Sequence, residues 1–462
     1  MLERTATDYY RATAGPALEA APLRGATDAR VCIIGGGYAG LNTALGLVER
    51  GITDVVVLEA EAVGYGASGR NGGFVFAGYS RGEADLLADL GPEAARAAYR
   101  RTQDAVALVR SRTERYAIDC DRTDGGVLWA NWFRDGDVLE RRRCLLETQF
   151  DTHWQPVDRA RLRRQVKSER YSAALFEPQA FHFHPLKYAR GLAGTLRHLG
   201  AAVHDATPAI GLRRDGGGWR VETQDGSVDA EHVVLACGGY LAGLVPKVDA
   251  SVLPIATYVI VTEPLGPRAA EVLETQAAVY DTRFAFDYYR LLPDTRLLWG
   301  GRISVRDRQA TEVERLLRRD VLRVFPQLDG VRIDHAWSGL MSYARHEMPQ
   351  IGRLDEGLWH AQAFGGHGVA PTTVAGEVLA SAIAEGDPTW QAYAPYGLAS
   401  AIKPWGFAGA QATYWWLQAM DAWKDWREVR AARPLTRKAR RCRAFPFRIS
   451  SWSERFEDAR RA

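Results

Sequence analysis

The most constraining feature of this sequence is a glycine-rich turn between a short apolar strand pattern and an apolar helix pattern. The run 31–34 (VCII) is apolar and largely β-branched, as expected of a buried parallel strand. The turn GGGYAG at 35–40 follows with the spacing G-x-G-x-x-G, and a second apolar strand ends on Glu59, 24 residues after Gly35. Strand, turn, helix and acid in this order are typical of a dinucleotide-binding βαβ unit rather than of an isolated tight turn.

Each position of this unit has a physical task. Gly35 permits the tight turn, Gly37 lets the backbone approach a pyrophosphate, and Gly40 lets helix and strand pack closely. The helix N-terminus offers free N–H groups to phosphate oxygens, and Glu59 can accept hydrogen bonds from ribose hydroxyls. The residues predicted to hold the nucleotide end are Gly35, Gly37, Tyr38, Ala39, Gly40, Glu59 and Ala60.

Composition and charge exclude several classes of protein. The 462 residues are 47% hydrophobic and 25% charged, which is globular composition and long enough for two large domains. The 59 basic and 56 acidic residues nearly balance, so no nucleic-acid partner is demanded, although 423–462 is basic. The five cysteines form no C-x-x-C or metal-ligand pattern, which is typical of a reducing compartment. With no signal peptide and no transmembrane segment in the sequence, we expect a cytoplasmic protein.

The order of strand and helix patterns predicts a discontinuous Rossmann-type domain and a second domain built on a mixed or antiparallel sheet. Buried strands recur near 232–236 and 358–364, each followed by glycines, whereas alternation of apolar and polar residues dominates 251–301. The predicted fold class is therefore α/β combined with α+β. The predicted cofactor domain is 26–90, 186–250 and 350–400, the predicted substrate domain is 91–185 and 251–349, and 401–462 is a C-terminal helical segment with a basic tail.

Several motifs resemble a known superfamily. They are GGGYAG at 35–40 with Glu59, GASGRNGG at 66–73, VVLACGG at 233–239 and FGGHGV at 364–369. Together they resemble the D-amino-acid oxidase and glycine oxidase superfamily of FAD enzymes. Four further segments resemble the γ-glutamylputrescine oxidases, which are one group of this superfamily. They are DYYRATAG at 8–15, TEPL at 262–265, DYYRLLPDTRLLWGG at 287–301 and KPWGFAG at 403–409.

The resemblance implies FAD in an extended form, with the glycine-rich loop and the GGHG segment near the flavin. His367 would face the pyrimidine edge of the flavin, with a helix start behind it whose dipole stabilises negative charge there. Covalent relatives attach FAD through a His or a Cys, but 60–80 has no His and 338–352 has no Cys, so we expect FAD to be bound non-covalently. The further cofactor residues implied are Ala67, Ser68, Arg70, Asn71, Gly72, Ala209, Gly238, Gly366, His367, Gly368 and Val369.

The reaction implied is hydride transfer from an amine-bearing carbon to the flavin, which gives an imine and then a carbonyl compound. Because side chains alternate along a strand, either Tyr288 or Tyr289 should point towards the flavin. A tyrosine in such a strand is often only half-buried packing, so both interpretations stay open here. The candidates for the catalytic and substrate side are His367, Tyr289, Tyr288, Trp337, Tyr258 and Tyr343.

The segment WSGLMSYA at 337–344 bears on the substrate. Amino-acid oxidases of the superfamily carry, after the Gly-Leu pair, an Arg that binds the substrate carboxylate, and here that position is Met341. This favours a small-molecule amine, such as a γ-glutamylated polyamine, over a small free amino acid. Arg345 or Arg290 could bind the substrate carboxylate in place of the absent Arg, so D-amino-acid, glycine or sarcosine-type oxidation remains an alternative.

Two further features leave alternatives open. The stretch 248–402 contains no lysine, so no lysine of the substrate-domain sheet can assist the reaction with O2, and either O2 or another acceptor remains possible. The segment 413–426 repeats Trp and Met at helical spacing ahead of the basic tail. It is either a helix packed on its own body or, through 413–462, a surface for a homo-oligomer, a partner or a membrane. The last interpretation admits a non-catalytic flavoprotein that serves as a docking subunit.

Overall fold

The computed structural model describes residues 8–431 as a set of helices around two large sheets. The helices are α1 (Tyr9–Thr13), α2 (Tyr38–Glu49), α3 (Glu83–Leu90), α4 (Pro92–Arg115), α5 (Asp137–Phe150), α6 (Arg159–Gln165), α7 (Pro185–His198), α8 (Pro246–Asp249), α9 (Ala310–Val324), α10 (Val369–Glu385) and α11 (Trp405–Ala431).

The strands are β1 (Gly25–Ile34), β2 (Val55–Leu58), β3 (Phe74–Val75), β4 (Val127–Ala130), β5 (Gln155–Val157), β6 (Ala174–Glu177), β7 (Phe181–His182), β8 (Ala202–His204), β9 (Ala209–Asp215), β10 (Gly218–Thr223), β11 (Gly226–Leu235), β12 (Leu253–Thr262), β13 (Ala278–Asp281), β14 (Tyr288–Leu291), β15 (Leu297–Ser304), β16 (Ile333–Tyr343), β17 (Gln350–Asp355) and β18 (Leu358–Gln362).

The first sheet has the order β17-β18-β11-β1-β2-β8, with β10 and β9 attached beside β11. Its centre is parallel, because β1 pairs in parallel with both β2 and β11, and β11 pairs in parallel with β18. Helices α2 and α10 are buried along most of their length, and they approach closely because Gly46 faces Ala380 and Gly376 faces Asn42. A β-carbon on Gly46 would stand 2.8 Å from that of Ala380. This is the predicted Rossmann-type sheet, assembled from three separate stretches of chain.

The second sheet has the order β16-β12-β15-β14-β13-β4-β6-β5 and is antiparallel except for the β13–β4 pair. One face packs against α9, where Val313 and Leu317 join the buried Trp299. The opposite face, which carries Ile255 and Ile303, lines a large cavity. The predicted fold class, a Rossmann-type domain with a mixed or antiparallel second sheet, is confirmed. The exact domain boundaries stay a prediction.

Helix α11 has one face on the protein body and one face in solvent. Tyr414 is buried, Asp425 forms an ion pair with Arg170, and Asp421 accepts a hydrogen bond from the Phe284 N–H at 3.0 Å. The helix therefore packs on its own body, as one of the two interpretations stated. The apolar repeat points the other way, with these side chains exposed: Trp415, Trp416, Met420, Trp423 and Trp426.

The role of the 413–462 segment stays a prediction, because its second part, 432–462, lies outside the described residues. Within 8–431, no helix combines the length and apolarity that crossing a bilayer requires.

Candidate active site

A cavity of about 1540 Å³ lies between the two sheets. It begins at the carboxyl ends of β1 and β2, where Ile34 and Leu58 line it, and extends across the free face of the second sheet. Ligands of open parallel sheets bind at this edge of the strands. The volume exceeds the roughly 300–1,000 Å³ typical of a site for one drug-sized ligand. The cavity can therefore hold a dinucleotide together with a substrate.

The glycines of the G-x-G-x-x-G turn differ in what they face. Gly35 has φ +116°, and a β-carbon there would stand 2.6 Å from the carbonyl oxygen of Ala236. A β-carbon on Gly40 would stand 2.0 Å from the carbonyl oxygen of Gly35. Gly35 and Gly37 line the cavity, whereas Gly40 lies behind it in the contact between helix and strand. The positions of Gly35 and Gly40 agree with the tight turn and the close packing predicted for them, and the approach of Gly37 to a pyrophosphate stays a prediction.

Helix α2 begins at the cavity with its N-terminus open. Its N-cap is Gly37, which supplies no side-chain hydrogen bond, and Tyr38 and Ala39 line the cavity. The Tyr38 N–H donates to Ser68 Oγ at 2.9 Å, which fixes the glycine-rich loop against the helix start. Unpaired N–H groups and the positive end of the helix dipole form a site for an anion. The N-terminus of α2 therefore fits a pyrophosphate.

Glu59 presents its carboxylate to the same cavity at the end of β2. The Gly36 N–H donates to Oε2 at 2.7 Å and the Glu61 N–H donates to Oε1 at 3.1 Å, so the carboxylate has a fixed orientation. Burial raises the pKa of Glu59, while these two hydrogen bonds oppose the shift. Ala60 and Ala209 line the cavity beside it. The arrangement fits an adenosine whose ribose hydroxyls donate to Glu59.

The glycine-rich loop is held rigid by its own side chains. Asn71 Nδ2 donates to the carbonyl oxygens of Ala67 and Ser68 at 3.0 Å each, and the Gly73 N–H donates to Asn71 Oδ1 at 2.8 Å. Arg70 Nε donates to the Tyr65 carbonyl oxygen at 3.0 Å. The loop therefore presents a fixed backbone to the cavity.

Two residues predicted to face the substrate support this loop instead. Trp337 is buried and does not line the cavity; its Nε1 donates to the Arg70 carbonyl oxygen at 3.0 Å. Arg290 is 1% exposed, and its Nε donates to the Gly72 carbonyl oxygen at 2.9 Å. The expectation that Trp337 lines the substrate side is therefore wrong, and Arg290 does not reach a substrate carboxylate.

The GGHG segment leads into helix α10 at the other end of the cavity. Gly368 is the N-cap of α10 and provides no side-chain hydrogen bond. The positive end of a second helix dipole therefore lies at the cavity. The His367 ring lies 4.0 Å from that of Phe76 by centroid distance, and its Nε2 is 3.3 Å from the Phe76 carbonyl oxygen. Burial lowers the pKa of His367 to about 4, so the imidazole is neutral at pH 7.

The structure shows which of the two adjacent tyrosines of β14 faces the cavity. Tyr288 lines the cavity, whereas Tyr289 is fully buried on the α9 side and stacks on Trp299 with ring centroids 4.5 Å apart. Tyr258 is also buried on that side and donates to the Arg306 carbonyl oxygen at 2.6 Å. The expectation that Tyr258 and Tyr289 face the substrate is therefore wrong, because the α9 side of the sheet needs large apolar side chains.

The cavity brings together almost all the residues predicted for the cofactor. Every one of them except Gly40 lines it, from Gly35 through Gly238 to Val369. Tyr343, also a candidate for the substrate side, lines it as well. Direct contact of these residues with a ligand stays a prediction.

Sequence reasoning missed a group of residues on the substrate side. Phe284 and Phe286 could have been found, because they continue the two-residue alternation that ends at Tyr288. The ion pair of Glu83 and Arg142 has no such signal, since Arg142 lies within the charged run ERRR. The residues missed are Phe74, Phe76, Glu83, Trp129, Arg142, Tyr280, Phe284, Phe286 and Trp405.

Comparison with known proteins gives one consistent answer. Residues 30–382 match the DAO family, described as FAD dependent oxidoreductase. The chain is 37% identical over 391 residues to the gamma-glutamylputrescine oxidoreductase of Escherichia coli K12, with 82% of this chain and 89% of that protein covered. It is 32% identical over 382 residues to the probable oxidoreductase OrdL of Haemophilus influenzae, with 81% and 87% covered.

Solved structures share the fold. Glycine oxidase from Geobacillus kaustophilus superimposes with a TM-score of 0.67 at 22% identity, over 80% of this chain and 98% of that one. L-Proline dehydrogenase from P. horikoshii also gives a TM-score of 0.67, at 20% identity, over 81% and 98%. The resemblance read from the sequence motifs is confirmed, and with it FAD as the cofactor. The chain therefore belongs to the DAO family of FAD-dependent oxidoreductases.

Proposed function

We propose that this oxidoreductase oxidises the C–N bond of an amine that carries a γ-glutamyl group, giving an imine that hydrolyses to an aldehyde. Support comes from the relative named gamma-glutamylputrescine oxidoreductase, which is 37% identical over most of both chains. The observation that carries the proposal is the place of Met341 in the cavity wall.

By its sequence position after the Gly-Leu pair, Met341 resembles the position at which amino-acid oxidases of the superfamily carry a carboxylate-binding Arg. A thioether cannot form an ion pair with a carboxylate. Met341 packs partly buried against a cluster that contains Ile255, Ala410 and Tyr414, so this part of the wall is apolar. An apolar wall suits the methylene chain of an extended amine better than the carboxylate of a small amino acid.

The FAD would lie along the cavity in an extended form. Gly35, Gly37 and the start of α2 would hold the pyrophosphate, and Glu59 would hold the ribose. The fixed backbone of the glycine-rich loop and the start of α10 would border the isoalloxazine. Two open helix N-termini, one at each end, complement the two anionic parts of such a ligand.

When bound, FAD accepts the hydride that leaves the carbon next to the amine nitrogen. The residues of this chain would position the amine as its uncharged base, after the ammonium proton has been lost to solvent. Tyr280, Tyr288 and Tyr343 line the cavity, and burial raises the pKa of each phenol, so each keeps its proton and can donate a hydrogen bond. His367 is neutral for the same reason, burial, and it adds no positive charge beside an amine.

Anaerobic flavin reduction by a panel of compounds tests the proposal. The panel contains γ-glutamylputrescine, N-acetylputrescine, putrescine, D-alanine and glycine. We expect γ-glutamylputrescine to bleach the flavin fastest. Faster reduction by D-alanine or glycine than by every amine tested would refute the amine assignment.

A second candidate is oxidation of an amino acid whose carboxylate is bound by Arg345. Arg345 lines the cavity, unlike Arg290. If Arg345 is the clamp, Arg345→Met abolishes reduction by amino acids. If the amine assignment holds, Met341→Arg instead creates activity towards small amino acids and lowers that towards γ-glutamylputrescine.

A further inference from the structure

One wall of the cavity carries an ion pair whose two residues are not among those predicted to bind the cofactor. Arg142 on α5 donates from Nη2 to Oε1 of Glu83, the first residue of α3, at 2.6 Å. The two side chains are only 21% and 14% exposed, and both line the cavity. A pair this well shielded from water interacts more strongly with a charged ligand than a surface pair does.

Two tryptophans fix the plane of the guanidinium. The Arg142 guanidinium carbon lies 4.5 Å from the ring centroid of Trp129 and 4.7 Å from that of Trp154. Contact with aromatic faces holds the cation in place without using its N–H groups. Arg142 Nε is buried and has no hydrogen-bond partner among residues 8–431. Nε itself has almost no accessible surface, so a ligand in the cavity would meet the exposed part of the Arg142 side chain, which is 21% exposed as a whole.

A row of aromatic rings connects this pair to His367. The Phe76 ring is 4.0 Å from His367 and 5.4 Å from Tyr280, by centroid distances. Tyr280 is 6.5 Å from Trp129, on which Arg142 lies. The Tyr280 side chain is buried, and its phenol interacts with the Arg142 guanidinium. The row lines one continuous wall of the cavity, so an extended molecule can reach the ion pair while its other end lies beside His367.

The two charges of the ion pair cancel each other. Glu83 is an anion and Arg142 a cation, and the neighbouring Glu177 is protonated at neutral pH because burial raises its pKa to about 8. A lone carboxylate or a lone ammonium would satisfy one member of the pair and oppose the other. A group that bears both charges on one carbon complements both members at once.

We propose that Glu83 and Arg142 form the subsite for the α-amino-carboxylate end of the substrate, with the carboxylate on Arg142 and the ammonium on Glu83. The oxidisable amine would then lie at the opposite, His367 end of the aromatic wall. This inference rests on the proposed function, because it assigns the γ-glutamyl end of the same amine. Both residues are specificity determinants, and neither touches the reacting carbon.

Calorimetric titration of the oxidised holoenzyme with γ-glutamylethylamide tests the subsite directly. This probe has the α-amino-carboxylate but no terminal amine, so the proposed oxidation of the terminal amine cannot act on it. We expect Arg142→Met and Glu83→Gln each to weaken its binding by roughly tenfold or more, because each removes one charge-assisted contact. Glu83→Gln keeps the size of the side chain, and flavin content monitors folding of both variants. A change of less than about twofold in both variants, or no binding by the unmutated protein, would overturn the inference.

Arg170 provides a matched control. Its guanidinium carbon lies 3.8 Å from the Trp132 ring centroid, it forms an ion pair with Asp425, and its side chain is also 21% exposed. It does not line the cavity. Arg170→Met should leave the affinity for γ-glutamylethylamide unchanged; an equal loss in this variant would mean that the effect of Arg142→Met is structural.

Steady-state kinetics separates this inference from the proposed function. Both cavity variants should raise KM for γ-glutamylputrescine by roughly tenfold or more, and raise KM for N-acetylputrescine, which lacks the α-amino-carboxylate, much less. Amine oxidation with unaltered KM in both variants overturns the subsite alone. Binding of γ-glutamylethylamide that depends on Glu83 and Arg142, in a protein whose flavin no amine reduces, overturns the proposed function alone.

Discussion

Gly300→Ala should push the ring of Tyr288 out of position. The two residues face each other across the β14–β15 pair, and a β-carbon on Gly300 would stand 2.1 Å from Cζ and 2.3 Å from Oη of Tyr288. Non-bonded carbons prefer a separation of roughly 3.5–4.0 Å, so the ring must retreat by about 1.5 Å. On its Gly72 side it is also confined, since a β-carbon there would stand 2.6 Å from Tyr288 Cε2.

Gly300→Ala should lower both the stability of the protein and the rate of flavin reduction. Overpacking of a well-packed site typically costs roughly 1–3 kcal/mol. A misplacement of about 1 Å at a substrate-positioning group can lower a rate by roughly 10²-fold. We therefore expect Gly300→Ala to slow anaerobic flavin reduction by the best amine by about two orders of magnitude, with FAD still bound.

A double-mutant cycle with Tyr288→Ala isolates this effect. Once the Tyr288 ring is absent, Gly300→Ala has nothing to displace. In the Tyr288→Ala background it should therefore slow flavin reduction only slightly further. Gly194→Ala on α7 is the matched control, because a β-carbon there meets no atom within 4 Å. An equal loss from Gly300→Ala in both backgrounds would refute the reasoning, as would a loss of similar size in Gly194→Ala.

The remaining predictions concern the cofactor, the acceptor and pH. Trichloroacetic acid should release all yellow colour into the supernatant; colour in the pellet would mean a covalent flavin. Reduced enzyme should react slowly or moderately with O2, because 248–402 has no lysine and His367 is neutral; a stopped-flow constant above roughly 10⁵ M⁻¹s⁻¹ would mean that another group supplies the charge. Burial lowers the pKa of His182 and His184 to about 3 and that of His346, His360 and His367 to about 4, so at these sites the unfolded chain binds protons that the folded chain does not. Glu177 and Asp287, whose pKa values are raised to about 8 and about 7, act in the opposite sense, but they are fewer than the histidines. The apparent midpoint of thermal unfolding should therefore fall as the pH drops from 6.5 towards 4, and a midpoint that rises over this range would contradict the assignment.

The sequence predicted the cofactor side well because its signals are local. The strand, the glycine turn and Glu59 are fixed by backbone requirements within 30 residues, and Gly40 shows the expected contact between helix and strand. A β-carbon there is excluded by the backbone of Gly35 itself. Such constraints can be read from one chain without knowledge of its partners in the fold.

The substrate side was predicted less well because it depends on which face of a sheet is covered. Tyr288 and Tyr289 are equivalent in sequence, and only the position of α9 decides that Tyr289 is buried and Tyr288 lines the cavity. Arg142 and Glu83 are 59 residues apart and meet only through the packing of α3 and α5. No local pattern marks such a pair.

The order of strands in the first sheet has a consequence for synthesis of the chain. Strand β1 lies between β2, made soon afterwards, and β11, whose Gly226 pairs with Gly25 about 200 residues later. At roughly 5–20 residues per second, a ribosome needs roughly 10–40 s to supply that partner. During this interval one edge of the apolar strand around Val31–Ile34 has no native neighbour, and an uncovered edge invites pairing with other chains. We therefore expect the nascent protein to depend on chaperones early, and to acquire FAD only after β11 has joined the sheet.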